Sequence, residues 1–197
     1  MYFGRKMLRL LKERKKFILG LEGEMFVGEE LNQLMLDACR VFHDIEFPYG
    51  NIDHVVVSRS GVFSVNTKML GKPTQGEDKA KVTVDHEQNV LRLPDRAASL
   101  PVNQLEAEAK WLAQYLTSAV ATEITVEPML ALPGWFIERR GRGPVCVLNP
   151  RNAKKFFVRS RTVLSPEQVQ QVAHQLEQLC RNVSPSYQEP NEWKASG

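Results

Sequence analysis

Three polar side chains with complementary chemistry interrupt two adjacent apolar segments. The acid Asp53 lies in segment 52–58, IDHVVVS, while the amide Asn66 and the amine Lys68 lie in segment 62–69, VFSVNTKM. Both segments are rich in β-branched residues and of strand length, which predicts two β-strands. Carboxylate and amide oxygens can ligate a hard divalent cation, and an ammonium stabilises negative charge that develops beside it. The pair of strands is therefore a candidate site for metal-assisted chemistry.

The turn between these strands decides which polar side chains meet. Ser60 with Gly61 predicts a two-residue hairpin loop. Strand side chains alternate between faces, so this loop places Asp53 directly opposite Lys68, on the face that also carries Asn66. The other face of the hairpin is apolar and carries Val56, Phe63 and Val65. We therefore expect one buried face and one chemically equipped face.

A third carboxylate is predicted on a helix before the strands. Apolar residues recur at helical spacing over residues 23–39, and the buried stripe consists of Val27, Leu31, Leu34, Met35 and Ala38. Glu24 lies on this inward stripe, three residues before its first member. Two interpretations remain open. An acid in a first turn can simply balance the helix dipole, or it can be a metal or active-site ligand.

The remaining pattern predicts an α/β fold with several further elements. A second helix is expected at 102–120, and a last one from Ser165, where Ser165-Pro166-Glu167-Gln168 forms a capping box. The predicted strands are 41–47, 52–58, 62–69, 81–86, 89–93, 124–131, 134–138, 144–148 and 155–158. We interpret residues 1–19 as a basic arm, 20–183 as one domain and 184–197 as a disordered tail.

The net charge of +3 is unevenly distributed. Residues 1–19 hold seven basic and one acidic side chain, residues 139–161 hold eight basic and none acidic, and residues 20–138 hold nine basic and eighteen acidic. Two basic segments on an acidic domain indicate a polyanionic partner such as nucleic acid, although a solvated surface would carry the same charges. The candidate contacts are Arg139, Arg140, Arg142, Lys154 and Lys155.

The function of the basic arm stays open at this stage. It could lie on a membrane surface, follow a transmembrane segment outside this chain, or contact nucleic acid. Phe156 and Phe157, flanked by basic residues, could likewise stack on bases or pack in the core.

Several classes of protein are disfavoured. The sequence has no run of eighteen apolar residues, which a membrane span would need, and its N-terminus does not resemble a secretory signal. The cysteines, Cys39, Cys146 and Cys180, lack zinc-ligand spacing and favour a reducing compartment, so we expect a cytoplasmic protein. The sequence contains no Walker loop, GxSxG or HExxH motif.

The run from Gly50 to Lys68, GNIDHVVVSRSGVFSVNTK, resembles the nuclease-related domain (NERD) family. That family combines an Asn-Ile-Asp-His-type strand with a Gly-Val-Phe strand that ends in an acid-x-Lys motif. Gly23 with Glu24 is similar to the family's Gly-Glu helix, and segment 101–104, PVNQ, to its Asn-Pro-x-x-Gln helix start. The resemblance covers roughly residues 20–120. It implies a PD-(D/E)XK nuclease-like core, with a central mixed sheet flanked by helices, and a cation, Mg²⁺ or Mn²⁺, held by carboxylates.

By this resemblance, Asp53 is the metal-binding acid and Glu24 a carboxylate beside the metal. Lys68 orients the attacking water and stabilises charge, and Gln104 assists from the second helix. One departure concerns Asn66, which occupies the motif's acid position and offers the metal an oxygen without a charge. The implied function is a metal-dependent nuclease acting on DNA or RNA and weakened at this position. The alternative is a catalytically degenerate module that binds nucleic acid or protein, which includes a module tethered near a membrane.

Overall fold

A computed structural model describes residues 2–73, 80–158 and 161–181, except for the side chains at positions 2–6, 8, 9 and 12. The helices are α1 (Tyr2–Asn32), α2 (Val102–Val120), α3 (Ala153–Phe157) and α4 (Pro166–Arg181), with 3₁₀ turns at Gln33–Asp37 and Pro150–Asn152. The strands are β1 (Arg40–Phe47), β2 (Gly50–Ser58), β3 (Gly61–Thr67), β4 (Lys81–Asp85), β5 (Val90–Arg92), β6 (Ala97–Ser99), β7 (Val126–Ala131), β8 (Phe136–Arg140) and β9 (Cys146–Leu148).

The strands form two sheets. The larger sheet has the order β1-β2-β3-β7-β9; its first three strands are antiparallel, and β7 and β9 run parallel to β3. The smaller sheet has the order β6-β5-β4-β8. The predicted α/β fold with a mixed sheet flanked by helices is therefore confirmed. Because β2 is antiparallel to β3, the start of β2 and the end of β3 lie at the same edge of the larger sheet.

Helices cover both faces of the larger sheet. On one face, Val27 and Leu31 of α1 join Phe63 and Val65 in a buried cluster. On the other face, the buried cluster joins two valines of β2 to α2 and α4, through Val55, Val57, Leu112, Leu116, Val172 and Leu176. Residues of even number on β3 thus face α2. This orientation places Asn66 under that helix.

The register of the β2–β3 hairpin differs from the predicted one. Ser58 pairs with Gly61, so the loop consists of Arg59 and Ser60 and the strands are shifted by two residues. A two-residue shift keeps every side chain on its predicted face but changes its partner. Continuing the register from the pair His54–Val65 places Asp53 opposite Asn66. The prediction that Asp53 lies directly opposite Lys68 is wrong.

The predicted strand at 155–158 is also wrong, since these residues belong to α3 and its end. Asn149 caps a 3₁₀ turn by accepting a hydrogen bond from the Arg151 amide, and Pro150 begins that turn. Ala153 and Phe157 are buried four residues apart, which is helical spacing, and the Phe157 ring meets that of Phe63 edge-on at 5.0 Å. A short apolar run does not by its own period distinguish a strand from a buried helical turn.

The remaining predictions concern the ends of the chain and the short strands. Helix α1 is continuous from Tyr2, so the backbone of residues 2–19 belongs to the same helix as Glu24. Strand β6 (Ala97–Ser99) was not predicted, because three small residues carry no alternating pattern. The capping box of α4 is confirmed by reciprocal hydrogen bonds between Ser165 and Gln168 at 2.9 and 3.2 Å. The predicted tail, 184–197, lies outside the described residues.

Candidate functional site

Asp53 lies near the start of β2, at the edge where β3 ends. The backbone amide of Thr67 donates to Asp53 Oδ2 at 2.7 Å, which holds the carboxylate beside the last residues of β3. The site thus begins as a contact between two strands of the sheet. A strand pair holds a carboxylate more rigidly than a loop does.

A buried hydrogen-bonded chain connects β3 to α2. Asn66 Nδ2 donates to Glu108 Oε2 at 2.7 Å, and Gln104 Nε2 donates to Glu108 Oε1 at 2.9 Å. Glu108 is only 2% exposed and Asn66 only 8%. With its nitrogen committed to Glu108, Asn66 presents a buried oxygen, Oδ1, that has no hydrogen-bond partner among the described residues. Glu108 therefore fixes the direction in which this amide oxygen points.

The carboxylates near this edge resist ionisation. Burial raises the pKa of Asp53 to about 7, the Thr67 amide opposes that rise, and the charges of Glu24, Glu108 and Asp44 add to it. Burial also raises the pKa of Glu108, against the hydrogen bonds from Gln104 and Asn66. The pKa of Glu24 is raised first by burial and then by Asp44. Several carboxylates that repel one another favour the binding of a positively charged group.

A cleft of about 270 Å³ lies between α1 and the strands β1 and β2. Its lining includes Glu24, Asp44, Asp53, His43 and His54. Asp44 of β1 has a left-handed backbone, with φ 52°. The residues on either side of it pair with the residues on either side of Asp53 in β2. The cleft brings Glu24 to the same region as Asp53, as the inward position of Glu24 predicts.

His54 points to the sheet face opposite that of Asp53. It is 4% exposed, and its Nδ1 lies 2.8 Å from His43 Nδ1. Burial, with a smaller contribution from His43, lowers the pKa of His54 to about 3. A ring with so low a pKa stays neutral throughout the ordinary pH range and is a weak proton acceptor.

Lys68 follows β3, and its ammonium contacts the smaller sheet. Lys68 Nζ donates to the carbonyl oxygen of Ser99 on β6 at 2.8 Å, and burial lowers the pKa of this lysine. The lysine therefore lies two positions past Asn66 with its charge engaged by a backbone carbonyl. It is the predicted site residue that departs most from its expected geometry.

The donor set fits a hard cation that keeps most of its waters. Within residues 2–73, 80–158 and 161–181, no group of three or more His, Cys, Asp or Glu side chains is placed so that it could hold a metal ion. Mg²⁺, however, commonly uses one or two carboxylates and completes its octahedron with water or substrate oxygens. Asp53 supplies one such carboxylate, and Glu24 and Glu108 add negative charge nearby. Asn66 Oδ1, on the neighbouring strand, has no hydrogen-bond partner among the described residues.

The predicted basic residues are all exposed, and two of them also have partners within the fold. Arg139 donates to the Val147 carbonyl oxygen and lies over the Phe156 ring at 5.5 Å, and Lys154 forms an ion pair with Asp37 at 2.7 Å. Arg140, Arg142 and Lys155 are exposed. The contact between Arg139 and Phe156 joins β8 to α3, so the two halves of the basic segment are neighbours in space.

Sequence reasoning missed Glu108, although a signal for it was present. The buried stripe of α2 includes Leu105, Ala109 and Leu112, and Glu108 is three residues after the first and four before the last. The argument that singled out Glu24, an acid on an apolar helical stripe, applies equally to Glu108. Asp44 carried no comparable signal, since its left-handed backbone is not visible in the sequence.

The fold and this site define an α/β protein with a nuclease-like core. The family model described as "Nuclease-related domain", NERD, matches residues 19–133, more than half of the chain, and the chain therefore belongs to the nuclease-related domain family. Comparisons with curated proteins and with solved structures gave no match. Among the described residues, no helix has the length and apolar character needed to cross a membrane.

Proposed function

We propose that this domain is a divalent-metal-dependent nuclease that hydrolyses phosphodiesters of DNA or RNA with Mg²⁺ or Mn²⁺. The observation that carries the proposal is the position of the Asp53 carboxyl, pKa about 7, on the strand next to the buried Asn66 Oδ1, which has no hydrogen-bond partner among the described residues. Two oxygens without sufficient positive charge or hydrogen-bond donors suit a cation better than they suit a core. The three free cysteines agree with a cytoplasmic location for this activity.

The proposed division of roles follows from charge and position. Asp53 and Asn66 hold the cation, and Glu24 contributes a carboxylate from across the cleft. A divalent ion bound there would polarise a phosphoryl oxygen and make a water molecule more acidic. Lys68 stabilises charge on the phosphate after its ammonium leaves the Ser99 carbonyl oxygen, a movement that its flexible four-carbon stem permits.

Glu108 compensates for the missing acid at position 66. Its carboxyl group contacts the Asn66 amide directly, so the acid that is absent from β3 lies one hydrogen bond behind the neutral ligand. Groups in contact with a metal ligand orient it and adjust its affinity. In this proposal the charge that the family motif carries on β3 resides on α2 instead, and Gln104 holds Glu108 in place.

The proposed substrate contacts are the exposed basic residues Arg140, Arg142 and Lys155. Arg139 and Lys154 are already engaged within the fold and serve mainly to hold β8 and α3 in place. The contact of Arg139 with Phe156 keeps this basic surface together. Nucleic acid is the polyanion that best suits both the surface and the proposed reaction.

Binding to single-stranded and double-stranded nucleic acid is expected to weaken with salt. The logarithm of the affinity should fall linearly with the logarithm of salt concentration, by about 0.7 to 0.9 per phosphate contacted. Replacing Arg140 and Arg142 by Ala should reduce this slope by about 1.4 to 1.8. Arg181→Ala, an exposed arginine on α4, is the matched control. An unchanged slope in the double variant would assign these arginines to ordinary surface.

A second candidate function is a binding module without catalysis. It is favoured by one observation, that the ammonium of Lys68 is engaged by Ser99 while position 66 is uncharged. Such a module would bind nucleic acid or another protein through the basic surface and cleave nothing. The two candidates therefore differ in their need for metal: the nuclease requires a divalent ion for cleavage, and the binding module requires none.

The experiment that tests the proposal compares wild type with Asp53→Ala. Wild type should bind Mn²⁺ and cleave plasmid or single-stranded DNA or RNA only when metal is present. The variant should lose metal binding and cleavage together, because it lacks the charged ligand.

A further inference from the structure

Helix α1 carries a second apolar surface besides the one that packs on the sheet. Large apolar side chains are exposed along it, with Phe17 at 74%, Met7 at 63% and Met25 at 60%. The full exposed set is Met7, Leu10, Leu11, Phe17, Ile18, Leu19, Leu21 and Met25. A helix at the surface of a globular domain usually directs one apolar stripe to the core and polar residues to water. Here a second stripe has no cover from the described residues.

This second stripe follows one side of the helix. Met7, Leu11, Ile18, Leu21 and Met25 are separated by three, four or seven residues, the spacing of a single helical face. The core stripe of the same helix is different and lies farther along, at Val27, Leu31 and Leu34, which are at most 1% exposed. The exposed stripe is therefore held rigidly by a helix whose other end is anchored in the domain.

Basic residues accompany the exposed stripe. Residues 1–19 contain seven Lys or Arg and one Glu. Among the described side chains, Arg14, Lys15 and Lys16 are all exposed. An anionic surface would therefore attract the start of the helix.

We propose that the exposed stripe of α1, from Met7 to Met25, together with the basic residues that accompany it, is a docking surface for an anionic lipid bilayer. Interfacial helices combine exposed apolar side chains, which enter the acyl boundary, with Lys and Arg, which meet anionic headgroups. Nucleic acid would account for the charge but leave Phe17, Ile18 and Leu21 in water. A second copy of the helix would cover the apolar stripe but bring two strongly basic segments together. A bilayer with anionic lipids satisfies both properties at once.

This surface adjoins the candidate site. Leu21 and Met25 belong to the exposed stripe and also line the cleft that contains Glu24 and Asp53. Glu24 is seven residues beyond Phe17, which is about 10 Å along the helix axis. The docked domain would therefore hold its cleft close to the headgroups, and substrates would be met at the membrane surface. The docking itself does not depend on nuclease activity.

Vesicle flotation with the full chain tests the proposal. Binding to vesicles of phosphatidylcholine with phosphatidylserine should exceed binding to phosphatidylcholine alone by at least about ten-fold and should fall with salt. Phe17→Ser with Leu21→Ser removes apolar contact and keeps the charge. Lys15→Glu with Lys16→Glu removes positive charge and keeps the apolar contact. Each double variant should lower the affinity for the anionic vesicles by at least about ten-fold.

Leu36→Ser is the matched control, because Leu36 is 89% exposed but lies on the 3₁₀ turn after α1. It should bind as wild type does, and circular dichroism should show all variants folded. Vesicle binding that is absent, or unchanged in both double variants, overturns the proposal. The proposal is also overturned by a dimer that dissociates in the Phe17→Ser, Leu21→Ser variant while vesicles are not bound. It is overturned as well if this helix binds nucleic acid and does not bind vesicles.

Discussion

Replacing Asp53 by Asn is expected to stabilise the metal-free protein at pH 8 by on the order of 4 kcal/mol. The ordinary pKa of this carboxyl is 3.8, and burial raises its pKa in the folded protein to about 7. The folded state therefore holds the proton more tightly than the unfolded state does. Between these two pKa values, the free energy of unfolding falls as pH rises, and the full cost is present above pH 7.

Asparagine removes this cost because it has the same shape and no charge. Its side-chain oxygen can still accept the Thr67 amide hydrogen bond. Urea unfolding at pH 4.5 and pH 8, with a chelator present, measures the effect. The advantage of the variant over wild type should be small at pH 4.5 and large at pH 8. An advantage of equal size at both pH values would mean that the Asp53 carboxyl titrates normally.

The second large effect is expected from moving the negative charge between β3 and α2. Asn66→Glu alone places a carboxylate against Glu108, whose Oε2 is now 2.7 Å from the Asn66 amide nitrogen. Two buried carboxylates at this distance repel strongly, so the metal-free variant should lose on the order of 3 kcal/mol of unfolding free energy. Adding Mg²⁺ should restore more stability to this variant than to wild type, because the cation relieves the repulsion.

Combining Asn66→Glu with Glu108→Gln should remove the repulsion and keep the charge. The glutamine introduced at position 108 can donate to the new carboxylate and still accept from Gln104 Nε2. The double variant should therefore match wild type in stability and equal or exceed it in metal affinity. Glu108→Gln alone keeps the hydrogen-bonded shape but loses the charge, and its metal affinity should fall by about 10- to 100-fold.

Calorimetric metal titration and urea unfolding of the four proteins measure these effects. Glu106→Gln is the matched control, because Glu106 is an exposed acid on the same helix. If Glu108→Gln and Glu106→Gln have the same metal affinity, Glu108 is a structural residue without influence on the site. If the double variant is as unstable as Asn66→Glu alone, the contact between positions 66 and 108 is not the source of the repulsion.

The sequence was sufficient for the parts of the site that depend on alternation along a strand. Asp53 and Asn66 lie on the predicted face, and Glu24 reaches the same cleft from α1. Lengths and faces of β2 and β3 follow from their valine-rich pattern. The family resemblance, carried by the same strands, is confirmed by the family match.

What the sequence could not give depends on turns and on contacts between distant elements. The hairpin loop is Arg59-Ser60 rather than Ser60-Gly61, and the shift replaced Lys68 by Asn66 as the partner of Asp53. Which residues of a short turn form the loop is decided by backbone geometry, not by composition. The contact of Asn66 with Glu108 joins residues 42 positions apart, and no local pattern predicts it.

The most direct test of the central claim is a titration of Mn²⁺ into wild type and Asp53→Ala, followed by a cleavage assay on the same samples. We expect wild type to bind the ion with a defined stoichiometry, more tightly at pH 8 than at pH 6, because the Asp53 proton must leave. Metal-dependent cleavage of plasmid or of single-stranded DNA or RNA should accompany this binding. Asp53→Ala, shown to be folded, should lose both. Binding of equal strength in the two proteins, or a wild type that binds Mn²⁺ and nucleic acid but cleaves neither plasmid nor single strands, would contradict the claim.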